Sequence, residues 1–165
     1  MKKNLLLVVI SVMTMNFAFS QAPITKGDKQ VNFGFGNNGA AGFRSNGIYV
    51  GMDYCIMDDL TIGGKLGINH WGGDGYSLTI LSPTIIADYH FNTLIGIPSQ
   101  FDFYAGADLG MPFYFGVGSG TGDFDLGTHV GGRWYWNEKW GVNLELGLGI
   151  LSGGNGAQLG VSMKL

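Results

Sequence analysis

From about residue 29 onward the chain alternates between apolar and polar positions. The pattern is clearest in the stretch Phe124–Leu151, FDLGTHVGGRWYWNEKWGVNLELGLGIL. Phe124, Leu126, Thr128, Val130, Gly132, Trp134 and Trp136 are apolar or neutral, and Asp125, Gly127, His129, Gly131, Arg133 and Tyr135 stand between them. Asn137-Glu138-Lys139 interrupts as a short polar turn. The alternation resumes with Trp140, Val142, Leu144, Leu146, Leu148 and Ile150 against Asn143, Glu145 and glycines. Side chains of a strand change face with period two, so this stretch predicts a β-hairpin with one apolar face and one polar, glycine-rich face.

The same period predicts six further strands, at about 29–37, 47–56, 60–71, 78–91, 101–115 and 157–165. Pro83 lacks a ladder donor and predicts a bulge in the fourth. Tight turns are expected at 57–59 and 137–139, a longer turn at 92–100, and loops at 38–46, 72–75, 116–123 and 152–156. Residues 22–28 form a short tail. No segment has a helical period.

The polar face decides the class. A water-soluble barrel or sandwich would carry Lys, Glu, Thr and Gln on its outer face, where glycine weakens strands. Here glycine alternates with isolated charges, and the opposite face is almost pure Leu, Val, Ile and Trp. A barrel with its apolar face toward lipid and its polar face toward a narrow lumen explains both. A tilted strand needs roughly 9–11 residues to cross the bilayer core, which most of these strands supply. The expected fold is therefore all-β, an eight-stranded antiparallel up-and-down transmembrane β-barrel.

Aromatic residues mark two expected girdles. Tyr54, Trp134, Trp136 and Trp140, with Tyr89, Phe91, Phe101 and Phe103, fall near the tight-turn ends of the strands. Trp71, Phe113 and Phe124, with Tyr76 and Phe115, fall near the opposite ends. Interfacial belts require two such bands. The turns at 57–59, 92–100 and 137–139 are assigned to the periplasm and the other four connections to the outside.

Composition agrees. Of 165 residues, 30 are glycine and only 13% are charged, against about 25% in ordinary soluble domains. Lys2-Lys3 followed by Leu5–Met13, with Ala18 and Ser20 before Gln21, has the form of a secretory signal peptide over 1–20, leaving 21–165 as the barrel. Seven basic residues then face twelve acidic ones, a net charge of −5 that argues against nucleic acid as a partner. Cys55 is the only cysteine, so an internal disulfide is excluded, and it is expected to fill lumen space.

On the signal peptide, the alternation and the amphipathic final strand QLGVSMKL, the chain resembles the small eight-stranded outer-membrane barrels of Gram-negative bacteria, of the outer membrane protein A transmembrane-domain and outer membrane protein X type. The resemblance implies location in the outer membrane, lipid as the surrounding partner, insertion by the barrel assembly machinery, and a monomer. Such chains usually end in an aromatic residue, whereas this one ends in Leu165. The loops are short, so adhesion or receptor roles of relatives do not carry over.

Candidate chemistry lies on the inward face. Asp53 and Lys65 are twelve residues apart around one turn, and Arg133 and Glu145 are twelve apart around another. His90 and Asp102 share that spacing across the longer turn. Each couple is expected to form an inward charge pair bracing the lumen, since a lone buried charge is costly. A proton relay or gate is the alternative use of such pairs. Some barrels of the family modify lipid A, and His70 near the outer rim, with Ser77 and Ser82 close in sequence, is the candidate here. No carboxylate is set to orient His70, so it is expected to be an interfacial polar residue. His129 is expected in the lumen near Asp125 and Glu145. Three scattered histidines and one cysteine make no metal-ligand spacing, and no cofactor is expected. Gly34–Gly39 matches GxGxxG but lacks the following helix that would hold phosphate. The expected role is structural, envelope-related or loop-mediated binding, without catalysis. The alternatives are a narrow channel for protons or small solutes, and a lipid-A-modifying enzyme.

Overall fold

The structure is a computed structural model and describes residues 24–37, 47–151 and 155–165. The signal peptide expected at 1–20, the loop expected at 38–46 and most of the loop expected at 152–156 lie outside the described residues.

The strands are β1 (Lys29–Asn37), β2 (Gly47–Met57), β3 (Leu60–Gly73), β4 (Tyr76–His90), β5 (Phe101–Gly110), β6 (Phe113–Gly116), β7 (Gly120–Thr121), β8 (Asp125–Tyr135), β9 (Trp140–Gly149) and β10 (Asn155–Lys164). Every pairing is antiparallel. Neighbouring strands join in sequence order, and β1 pairs with β10, which closes the sheet. β5 and β6 are one stave of the wall. Thr84 opposite Gly110 and Leu81 opposite Phe113 belong to the same register on β4. Eight staves therefore close an up-and-down barrel, with β7 a short addition to the loop end. We call the end carrying Lys29 and Lys164 the base and the opposite end the rim.

Several expectations change in detail. Pro83 causes no bulge: the β3–β4 register runs unbroken through Leu66 opposite Pro83. The irregularity falls across from it, at Met111-Pro112, where the second proline removes another donor and separates β5 from β6. The ladder is held there by Met111 N–H donating to the Pro83 carbonyl at 3.2 Å. The register shift that does occur lies between Cys55 and Met57, beside the β2–β3 turn. Asp59 in that turn has φ of 64°, a left-handed conformation that Asp tolerates better than most residues. The β3–β4 hairpin is longer than expected, with Gly73 still paired to Tyr76.

The 92–100 connection contains one helical turn, α1 (Asn92–Ile95), stopped by Gly96 at φ of 67°. Four residues are too few for a helical period to show in sequence. Asn92 anchors the turn: its amide donates to the Phe101 carbonyl at 2.5 Å, and its Oδ1 accepts from Phe103 N–H at 3.2 Å. In the 137–139 turn, Asn137 Oδ1 accepts from the backbone of Lys139 and Trp140, which is how Asn closes a tight turn.

The two faces are inverted relative to a soluble protein. Phe35, Ile85, Val130 and Leu146 are 72, 68, 56 and 53% exposed. Asn32, Asp53, Asp88, Asp102, His129, Arg133 and Ser162 are buried. The apolar row runs along every long strand, far beyond the few hundred Å² of contiguous apolar surface that a water-soluble monomer exposes. Among the described residues, no helix is long and apolar enough to cross a membrane. The strands carry the apolar span, as transmembrane barrels require.

Candidate functional site

Eight staves leave an interior that side chains just fill, and the ladder shows how charges fit there. Large inward residues face glycine on the next strand. Tyr104 faces Gly131, Asp108 faces Gly127, and His129 faces Gly106 and Gly147. Asp53 faces Gly63, and Lys65 faces Gly51. These glycines supply room. A Cβ on Gly131 would lie 2.2 Å from the Tyr104 ring, and one on Gly106 would lie 2.1 Å from the Asp88 carboxylate.

Near the base, Arg133 is the hub. It donates to Asp102 Oδ2 at 2.8 Å and to Asp53 Oδ2 at 3.0 Å, and its guanidinium lies 4.1 Å over the Tyr104 ring. With its amide oxygen turned to Arg133, Gln30 accepts from Nε at 2.9 Å and contacts the Tyr135 hydroxyl. Asp53 also accepts from Asn32 at 2.7 Å. The chain continues around the wall: Ser162 donates to Asn32, Asn143 donates to Ser162, and Tyr49 donates to Asn143.

His90 joins the same cluster. Its Nδ1 is 2.7 Å from Asp102 Oδ1 and its Nε2 is 3.1 Å from Thr61 Oγ1. A hydroxyl, an imidazole and a carboxylate in series have the connectivity of a hydrolytic triad. Thr61 is only 2% exposed and His90 1%, so no substrate reaches them. This arrangement holds the lumen together.

A second layer sits nearer the rim. Lys65 donates to Glu145 at 2.8 Å and to Gln158 at 3.3 Å, and Tyr104 donates to Glu145 at 3.2 Å. His129 lies between two carboxylates, with Nε2 2.6 Å from Asp88 and Nδ1 3.0 Å from Asp108.

The structure thus brings His90 and Asp102 together but not the other two expected couples. Asp53 pairs with Arg133 rather than Lys65, and Glu145 pairs with Lys65 rather than Arg133. The registers explain the exchange. Asp53 stands opposite Gly63 and Arg133 opposite Asn143, so each hairpin couple is diagonal. Diagonal neighbours are about 7–8 Å apart, and in a narrow barrel the partner across the lumen is nearer. His129, likewise, meets Asp88 and Asp108 rather than Asp125 and Glu145. The hub role of Arg133, the place of Tyr104 beneath it and the part of Gln30 had no signal in the sequence, because those residues lie on different hairpins.

The base is closed from below. Ile24, expected in a short tail, is 3% exposed and packs under the lumen beside Gln30, Asp53, Thr61 and Lys164. Its segment is tied to the β2–β3 turn by Gly27 N–H to the Cys55 carbonyl and Lys26 N–H to Asp58, both at 2.9 Å. Cys55 is fully buried in the same layer, its thiol 2.9 Å from the Met57 carbonyl.

On the outside, Tyr54, Trp134, Trp136, Tyr89 and Phe103 are exposed toward the base, with Trp140 half-buried among them. Tyr76, Phe115 and Phe124 are exposed toward the rim, with Trp71 and Phe113 half-buried. His70 is exposed, with Nδ1 2.9 Å from Thr79 Oγ1. Ser82, its suggested neighbour, is buried on the lumen face. Among the described residues no group of three or more His, Cys, Asp or Glu is placed to hold a metal ion.

No family model matches the sequence, and neither does any curated protein. Solved structures do match in shape. The outer membrane protein OprG from Pseudomonas aeruginosa superposes with a TM-score of 0.63 at 12% identity, over 86% of this chain and 97% of that one. The N-terminal β-barrel domain of Pseudomonas aeruginosa OprF gives 0.60 at 17% identity, over 86% and 100%. Neisserial surface protein A gives 0.57 at 14% identity, over 84% and 95%. These likenesses establish the fold as that of the small eight-stranded outer-membrane barrels.

Proposed function

We propose that the chain is a monomeric integral protein of a Gram-negative outer membrane, with a structural, envelope-related or loop-mediated binding role and a lumen closed to solute flow. The leader at 1–20 would direct export, the barrel assembly machinery would insert the barrel, and the two aromatic bands would sit at the lipid headgroups. The base would face the periplasm. The observation that carries the closed lumen is the sealed base, where Arg133, Asp53, Asp102, His90 and Thr61 are all no more than 4% exposed, with Ile24 beneath them. A buried charge network of this kind opens only by breaking ion pairs, each costing several kcal/mol.

The proposed role is non-enzymatic. His70 bonds Thr79 on the lipid side while Ser82 faces the lumen, so Ser82 is out of its reach; Ser77 shares the outer face with His70, but Thr79, not a carboxylate, is the partner seen at the His70 ring. The lipid A mass profile should be unchanged on expression.

Planar-bilayer recording of the refolded barrel tests the closed lumen. No steady conductance steps are expected. Reproducible steps at neutral pH would overturn it and install the narrow-channel reading instead.

A further inference from the structure

The connections at the base differ in charge. β2 and β3 are joined through Asp58-Asp59, and β8 and β9 through a turn holding Glu138 and Lys139, as water-facing turns are. Residues 91–100, which join β4 to β5, carry no charged side chain. Leu94 and Ile95 stand in the middle of that connection, 67 and 66% exposed. We infer that α1 is an interfacial foot, whose Leu94 and Ile95 side chains enter the lipid leaflet at the base, where headgroups meet acyl chains.

Two observations beside the missing charge carry the assignment. The first is that the exposure is held in place. Asn92 is fully buried and hydrogen-bonded to Phe101 and Phe103. At about 3.6 residues per turn, Leu94 falls on the side opposite Asn92, away from the barrel. Thr93 Oγ1 donates to Asp59 Oδ1 at 2.9 Å, which ties α1 to the β2–β3 connection, and Ile97 N–H donates to the Asn92 carbonyl at 3.0 Å. A turn braced in this way cannot fold its two apolar side chains back onto the protein.

The second observation is continuity with the lipid-facing wall. Phe91 enters the connection edge-to-face with Tyr89, centroids 5.3 Å apart, and Phe101 leaves it stacked on Phe103 at 6.5 Å. Tyr89 and Phe103 are exposed members of the aromatic band at the base. The connection therefore begins and ends at headgroup level, where such rings sit. An interfacial apolar face reaches about 5–10 Å into the boundary of headgroups and acyl chains, which a single helical turn can supply. Met57, beside the turn to which α1 is tied, is 60% exposed and extends the same apolar surface. Three such side chains fall far short of the roughly 20–30 residues a side of a stable protein interface, so lipid is the occupant.

The assignment rests on the membrane location proposed above, and the test separates the two. The full mature chain, methyl-labelled at Leu and Ile, is refolded in phosphatidylcholine nanodiscs for NMR. Line broadening is read with a phospholipid carrying a nitroxide high on its acyl chain, and separately with a water-soluble gadolinium chelate. The Leu94 and Ile95 methyls should broaden with the lipid-borne label and be shielded from the chelate, while the Glu138 amide broadens with the chelate. Leu94→Gln combined with Ile95→Gln should reverse that pattern at the Gly96 amide and keep the gel shift of the folded barrel. Should the double variant not fold, the methyl pattern of the parent decides. Chelate broadening of Leu94 and Ile95 as strong as that of Glu138 would overturn the foot, as would an unchanged Gly96 pattern in the folded variant. Shielding from both probes would also overturn it, by showing that protein covers the turn. A lipid-borne label that reaches Ile62 on the wall but not Leu94 or Ile95 would refute the foot alone. One that reaches none of the three would refute the membrane location as well.

Discussion

Replacing Arg133 by Met removes the cation that Asp53 pairs with among the described residues and leaves its carboxylate 1% exposed. Asp102 is better protected, because His90 stays at 2.7 Å. Breaking a buried pair from one side costs about 3–5 kcal/mol, since a charge is stranded rather than an attraction merely lost. The stack on Tyr104 adds about 0.5–2 kcal/mol. Arg133→Met should therefore destabilise the barrel by about 3–6 kcal/mol. The sharper consequence is a change of sign. In the parent, Asp53→Asn removes a charged acceptor from Arg133 and Asn32 and should cost about 1–3 kcal/mol. On the Arg133→Met background the same change removes the stranded charge and should restore stability. Urea unfolding from lipid vesicles, followed by tryptophan fluorescence and gel mobility, gives all four corners of the cycle. Equal destabilisation by Asp53→Asn in both backgrounds would refute a direct, energetically coupled pair.

Leu146→Arg puts a charge on the lipid face and should cost about 2–4 kcal/mol of folding in vesicles, while an unchanged unfolding curve would mean that face does not meet lipid. Gly131→Ala drives a methyl into the Tyr104 ring and should cost about 1–3 kcal/mol, whereas Gly147→Ala, whose added carbon meets nothing nearer than 3.7 Å, should be nearly neutral in the same assay. Equal effects at the two glycines would sink the account of glycine as lumen space. Unboiled samples of the refolded chain should migrate differently from boiled ones on SDS gels, with β-rich circular dichroism, and a chain that dissolves in plain buffer without that shift would reverse the inside-out assignment.

The local half of this architecture was legible in the residues. Period-two alternation is a property of one strand at a time, so Val130, Leu146 and Leu159 declare the lipid side, and Asp53, Arg133 and Glu145 the lumen side, without knowledge of any neighbour. Asn137-Glu138-Lys139 declares its own turn for the same reason. Even the glycines announced a narrow interior, although not which bulky residue each would face.

What the tertiary structure alone decided is who meets whom. Lys65 and Glu145 are 80 residues apart, as are Asp53 and Arg133, and the exchange of partners between the two hairpins follows from barrel closure. Closing eight tilted strands fixes a stagger, and the stagger brings side chains on opposite walls closer than diagonal neighbours in one hairpin. No local pattern encodes that stagger. The seal made by Ile24 has the same origin, because the space it fills is bounded by strands from both halves of the chain.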